Sequence, residues 1–123
     1  MKSVIKVKPL IRKNVVFRNG RKRMKIKLNL YVDDILQSYD KAQQRLVEAE
    51  KAIRTAGTQE SSIEYGRAAT DLLQTVFGIE CTAAIIKFYE GRYIQMLADV
   101  YPFIQKEILP HLNDPFAQVL SER

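Results

Sequence analysis

Asn19-Gly20 stands between two runs whose apolar side chains recur at every second position, and this junction constrains the chain more than any other feature. Asn-Gly adopts positive φ at little cost, so the dipeptide marks a β-hairpin. With Asn19-Gly20 as a two-residue turn, Arg18 faces Arg21, Phe17 faces Lys22, Val15 faces Met24 and Ile11 faces Leu28. Like charges beside the turn oppose that register, and a longer loop is the alternative. The period of two places Ile11, Val15, Phe17, Met24, Ile26, Leu28 and Leu30 on one face, and Arg21, Arg23, Lys25 and Lys27 on the other. A two-stranded ribbon is marginal alone in water, so its apolar face must lie on helices or on another chain.

Charge divides near the end of this ribbon. Residues 1–28 hold eleven Lys or Arg and no acid, whereas residues 29–123 carry a net charge of −5 out of an overall +6. A basic arm on an acidic body fits two situations: nucleic-acid binding, or assembly in which one copy's arm meets another copy's body.

From Asp33 the apolar period becomes helical. A helix is expected over 33–56, with Asp33 as N-cap, Ile35, Tyr39, Ala42, Leu46, Ala49 and Ile53 inward, Leu36 and Val47 at the edge of the stripe, and Gly57 closing it. Ser61 or Ser62 is expected to cap a second helix that buries Tyr65, Ala69, Leu72, Leu73, Val76 and Phe77 and ends at Gly78 in a left-handed position. A third, roughly 79–90, is apolar over much of its circumference and is expected at the centre, with Gly91 ending it. A fourth starts near Arg92 with Tyr93, Met96, Leu97, Val100, Phe103, Ile104 and Ile108 inward; Pro102 should kink or break it, and Pro110 should stop it. Residues 113–123 read as a frayed tail. The fold class is therefore mainly α: one domain of 123 residues, with a basic β-hairpin arm (1–32), a body of about four helices (33–112) and a tail (113–123).

Motifs for catalysis are missing. His111 has no nucleophile signature beside it, and Cys81 reads as a small apolar residue in a helix seam. Asp33-Asp34 lacks a third ligand at metal-binding spacing, and the glycines are isolated rather than forming a phosphate loop. No enzyme activity, metal or cofactor is expected. No apolar run approaches the roughly 18 residues of a membrane span. The opening MKSVIKVKPL lacks the apolar core of a secretory signal, so a cytoplasmic address is expected. The hairpin offers many cations to phosphates, but only one aromatic, Phe17, and no base-stacking surface; nucleic acid is the secondary expectation.

The stretch Leu72–Leu112, LLQTVFGIECTAAIIKFYEGRYIQMLADVYPFIQKEILPHL, resembles the small tail assembly chaperones of long-tailed phages and prophages of Gram-positive bacteria. Phe77-Gly78, Phe88-Tyr89-Glu90-Gly91 with Tyr93, Met96-Leu97, Pro102-Phe103-Ile104 and Pro110 carry the resemblance, over about a third of the chain. It implies a non-enzymatic helical protein of the host cytoplasm that coats the tape measure protein, recruits tail tube subunits, self-associates in a spiral or ring, and is absent from the mature virion. Many members are made in two lengths through a ribosomal frameshift. Tyr89, Tyr93, Met96 and Phe103 are the expected protein-binding groove, aromatics and Met being enriched at interfaces; the alternative is that all four fill the core, an even choice for Phe103 and the weaker one for the tyrosines. Arg21, Arg23, Lys25 and Lys27 are the expected basic face for self-assembly or nucleic acid. A small head–tail component of the virion is a further alternative.

Overall fold

In the computed structural model, which describes residues 2–116, strands β1 (Ile11–Asn19) and β2 (Lys22–Leu30) form an antiparallel hairpin. Its register differs from the expected one by two residues: Ile11 pairs with Leu30, Val15 with Ile26, Phe17 with Met24 and Asn19 with Lys22. The two-residue loop is Gly20-Arg21, and Gly20 alone takes positive φ (60°), as a type II′ turn requires. This register gives Phe17 and Leu30 apolar partners, where the expected one set Phe17 against Lys22. A shift of two leaves each side chain on its face, so the division into an apolar and a basic face stands.

Six helical segments follow: α1 (Val32–Leu36), α2 (Tyr39–Ala56), α3 (Gln59–Phe77), α4 (Ile79–Phe88), α5 (Tyr93–Phe103) and, beyond a π turn at Ile104–Ile108, α6 (Leu109–Asn113). The helix expected over 33–56 is two helices. Ser38 leaves helical geometry at φ −130°, and its carbonyl accepts the first bond of α2 from Ala42. Asp33 is not a cap; Tyr31 holds that position, and Asp33 and Asp34 lie in the first turn, where acids oppose the helix dipole favourably. Gly57 closes α2 in the left-handed region (φ 56°), as expected.

Thr58, rather than Ser61 or Ser62, caps α3. Its hydroxyl accepts from the Ser61 backbone N–H at 3.1 Å, which leaves the serines inside the first turn. Gly78 has the expected positive φ (84°), but its ψ of 170° is extended rather than left-handed helical, a combination essentially reserved to glycine. One residue thereby ends α3 and starts α4.

The centre of the bundle is α3, not α4. Helix α3 buries Tyr65, Gly66, Ala68, Ala69, Leu72, Leu73, Val76 and Phe77, whereas α4 fully buries only Thr82 and Ile85 and leaves Ile79 exposed. Small residues along α3 admit close neighbours, which an evenly apolar surface does not by itself secure. Each buried Leu there contributes on the order of 1.5–3 kcal/mol. Ile11, Ile26, Leu28 and Leu30 join the same core, so the hairpin is part of it.

Pro102 neither breaks nor ends α5. The helix continues to Phe103, and the irregularity comes after it as the π turn, closed by the Leu109 N–H donating to the Ile104 carbonyl. Nor does Pro110 stop the chain's helical path. The π turn lets a new helix begin at Leu109, which puts Pro110 in a first turn, where no N–H donor is needed. Ile104 and Ile108 stay fully buried through it. Among the described residues helical structure ends at Asn113, and residues 117–123 of the expected tail lie outside them.

Lys13, opposite Leu28 on the inner face, reaches Glu107 in the π turn with an Nζ–Oε2 distance of 3.0 Å. Its hydrogen bond holds the Glu107 carboxyl below the usual glutamate range. A carboxylate with a lowered folded pKa stabilises above its unfolded value and loses that contribution as pH falls through the folded one. Lys13→Met is therefore expected to lower stability slightly near neutral pH and to leave it unchanged once Glu107 is protonated, so that the acid limb flattens, as urea titrations at stepped pH will report.

Candidate functional site: two apolar clefts

The four residues expected to form one groove are dispersed. Met96 is 1% exposed and belongs to the core, in the middle of α5. Tyr93 lies elsewhere on the surface with its ring over Gly66; a Cβ at that glycine would sit 2.8 Å from Tyr93 Cε2. Only Tyr89 and Phe103 share a cleft. This expectation is corrected: helical spacing gave the side of α5 but not the depth at which each residue sits.

The cleft of Tyr89 and Phe103 has a volume of about 270 Å³ and lies between the hairpin and helices α4 and α5. Val15, Val16, Phe17 and Arg18 line it from β1, Ile26 and Leu28 from β2, and Phe77, Ile85, Asp99 and Val100 from the helices. Aromatic packing builds its wall, with Phe17 5.9 Å from Phe88 and edge-on to Tyr89 at 6.3 Å, centroid to centroid. Lys22 Nζ lies 5.6 Å from the Phe88 centroid and covers the cluster from outside. The Tyr89 hydroxyl donates to Asp99 Oδ2 at 3.0 Å, and Gln95 Nε2 donates to Oδ1 at 3.0 Å. Burial, then the bond to Asp99, pushes the Tyr89 phenol up to about 12, so it remains a neutral donor at physiological pH.

A second cleft, about 450 Å³, runs between α2, α3 and α5. Leu46, Val47 and Ile53 line it from α2, Tyr65 from α3, and Ile94, Leu97, Ala98 and Tyr101 from α5. Gln43 Nε2 bridges the helices by donating to the Tyr101 hydroxyl at 2.6 Å. Charge is confined to Glu50 and Arg54, which pair with each other at 2.7 Å. Ile94 is 64% and Val47 39% exposed, so the apolar lining opens to solvent. Ile94 escaped notice in the sequence because it falls off the inward stripe of α5; an isoleucine on an outward helical position was the available signal.

The basic face is a real surface. Arg23, Lys25 and Lys27 are exposed on the outward side of β2, beside Arg12 and Arg18 of β1, and Arg21 sits in the turn. Among the described residues none of these six is in an ion pair; the ion pairs there are Lys13–Glu107, Arg45 with Glu64 and Asp71, Arg54–Glu50 and Arg92–Glu90. Also among the described residues, no three His, Cys, Asp or Glu side chains gather as a metal site, and no helix is long and apolar enough to cross a membrane. Cys81 is half-buried and His111 lies in α6, away from both clefts' linings. Compared with protein-family models, curated proteins and solved structures, the chain matches none.

Proposed function

We propose that this chain is a non-enzymatic phage tail assembly chaperone that binds the tape measure protein, helps recruit tail tube subunits and leaves before the virion matures. The open apolar cleft between α2 and α5 carries the reading, together with the resemblance of Leu72–Leu112 to that family. Its shape and lining suit one face of an amphipathic helix, the mode in which apolar anchors at i, i+3 and i+4 enter a groove. A long helical tape measure protein presents such faces repeatedly and aggregates if they stay uncovered. The site of action is the host cytoplasm, and copies self-associate along the bound protein.

Co-expression tests this. A tape measure protein that is insoluble alone becomes soluble with the wild-type chain and copurifies with it, and Ile94→Asp with Val47→Asp reduces the yield of complex about tenfold or more. A tape measure protein that stays insoluble beside the folded wild-type chain rejects the reading. Recovery of the chain as a stoichiometric part of purified particles favours a head–tail component instead.

A second reading, nucleic-acid binding, is favoured by the outward cations of the hairpin, which have no acidic neighbours on that face. Retention of duplex DNA at about 0.15 M salt, lost on replacing Arg21, Arg23, Lys25 and Lys27, would select it.

A further inference from the structure

We infer that the segment preceding β1, residues 3–8 (Ser-Val-Ile-Lys-Val-Lys), adds as a strand to the free edge of β1 in a second copy, with Ile5 and Val7 entering the cleft of Tyr89 and Phe103. The inference deepens the self-association proposed above by naming its contact, and it stands apart from the tape measure cleft.

Edge geometry comes first. The turn at Gly20-Arg21 joins Asn19 and Lys22 as a hydrogen-bonded pair, so the pairs alternate and Arg18–Arg23, Val16–Lys25, Asn14–Lys27 and Arg12–Asn29 are non-hydrogen-bonded. The backbone N–H and C=O groups of Arg12, Asn14, Val16 and Arg18 therefore point away from β2, and none has a backbone or side-chain partner within the described residues. Four consecutive residues of β1 line the cleft, although alternate side chains point to opposite faces, so the cleft reaches round to this edge. From β2 only the inner-face residues Ile26 and Leu28 take part. An unpaired strand edge above an apolar cleft is what an extended segment needs: ladder bonds from the edge and pockets for alternate side chains.

The occupant is in the chain. Val4, Ile5 and Val7 are 78%, 90% and 79% exposed, three β-branched residues within four positions that stay out of the core. Ile5 and Val7 are two apart and share one side of an extended strand. The segment cannot easily fold back on its own β1. A tight turn there would fall at Pro9-Leu10, where proline is held near φ −65° and no residue of the segment takes positive φ, whereas two-residue hairpin turns require it. The segment makes no backbone hydrogen bond to its own β1 and leaves Ile5 and Val7 exposed, and another copy is the acceptor we assign. Donating one segment and accepting another through a different surface makes a head-to-tail contact, which propagates into a ring or spiral.

Charge gives the contact an unusual salt response. With Ile5 and Val7 inward, Lys6 and Lys8 join the outward face that already carries Arg12 and Arg18, so salt relieves repulsion and strengthens assembly. Docking of the basic face on an acidic body would respond in the opposite sense.

Sedimentation of the full chain tests the inference with two variants. Ile5→Asp disables the donor, and Val16→Pro disables the acceptor by removing an edge N–H that the hairpin does not use. Each alone is expected to weaken assembly about tenfold or more, and an equimolar mixture is expected to recover dimers from the intact donor of one and the intact edge of the other. Circular dichroism of Val16→Pro, with Asn14→Pro as a second edge block, separates acceptor loss from misfolding. Wild-type chains that stay monomeric, Ile5→Asp chains that assemble like wild type, a mixture without dimers, or assembly that dissolves as salt rises from about 0.1 M to about 1 M would each overturn it. Solubilisation of the tape measure protein by Ile5→Asp reports on the other cleft, so the two proposals fail separately.

Discussion

Replacing Leu28 by alanine is expected to lower the stability of the whole chain by about 2–5 kcal/mol, and not merely to loosen the hairpin. Leu28 is almost fully buried and lines the cleft with Phe77, Ile85 and Val100, which come from three different helices. Its loss leaves a void that neither β2 nor α3 can close alone. Against a typical total of about 5–15 kcal/mol, that is a large fraction. Urea unfolding followed by far-ultraviolet dichroism and by tyrosine fluorescence (six tyrosines, no tryptophan) should show coincident transitions in wild type and variant, shifted together. Two separated transitions, with only the strand signal lost in the variant, would mean that the hairpin is a detachable arm.

The face of the hairpin was legible because both strands alternate independently on either side of Asn19-Gly20. Its register was not, since Asn19-Gly20 and Gly20-Arg21 turns differ only in which residues take positive φ, and a slip of two preserves every side-chain direction. The break at Gln37-Ser38 was hidden for a similar reason. Ile35 and Tyr39 are both buried, so the four-residue spacing runs unbroken across a gap in the helix. The centre of the bundle was misread from α4 because an apolar circumference measures greasiness, whereas close approach needs small residues such as Gly66, Ala68 and Ala69 of α3.

The clefts were less legible still. Each joins residues far apart in sequence: Val47 of α2 and Ile94 of α5 line one, and in the other Phe17 of the hairpin packs against Tyr89 at the end of α4. A helical period says which residues share a side of one helix and nothing about which other helix stops short of covering it. Enrichment of aromatics and Met at interfaces singles out Tyr89, Phe103 and Met96 alike; the first two line one cleft, whereas Met96 lies in the core, because composition carries no information on depth.

Met96→Ala should accordingly behave as a folding variant. Removing the side chain from a fully buried site costs about 2–5 kcal/mol, by lost transfer energy and by the cavity left in the core. Met96→Leu conserves volume and should cost less than about 1.5 kcal/mol. Ile94→Asp, two residues away on the open side of α5, should leave stability within about 0.5 kcal/mol. Thermal melts order the three: a fall of several degrees for Met96→Ala, a small one for Met96→Leu and almost none for Ile94→Asp. Solubilisation of the tape measure protein should follow a different order, because only Ile94 borders the α2–α5 cleft. It is lost in Ile94→Asp at every temperature, and in Met96→Ala only where the chain itself has melted. Loss of binding in Met96→Ala well below its melting temperature, with full folding retained, would return Met96 to the interface and count against its place in the core.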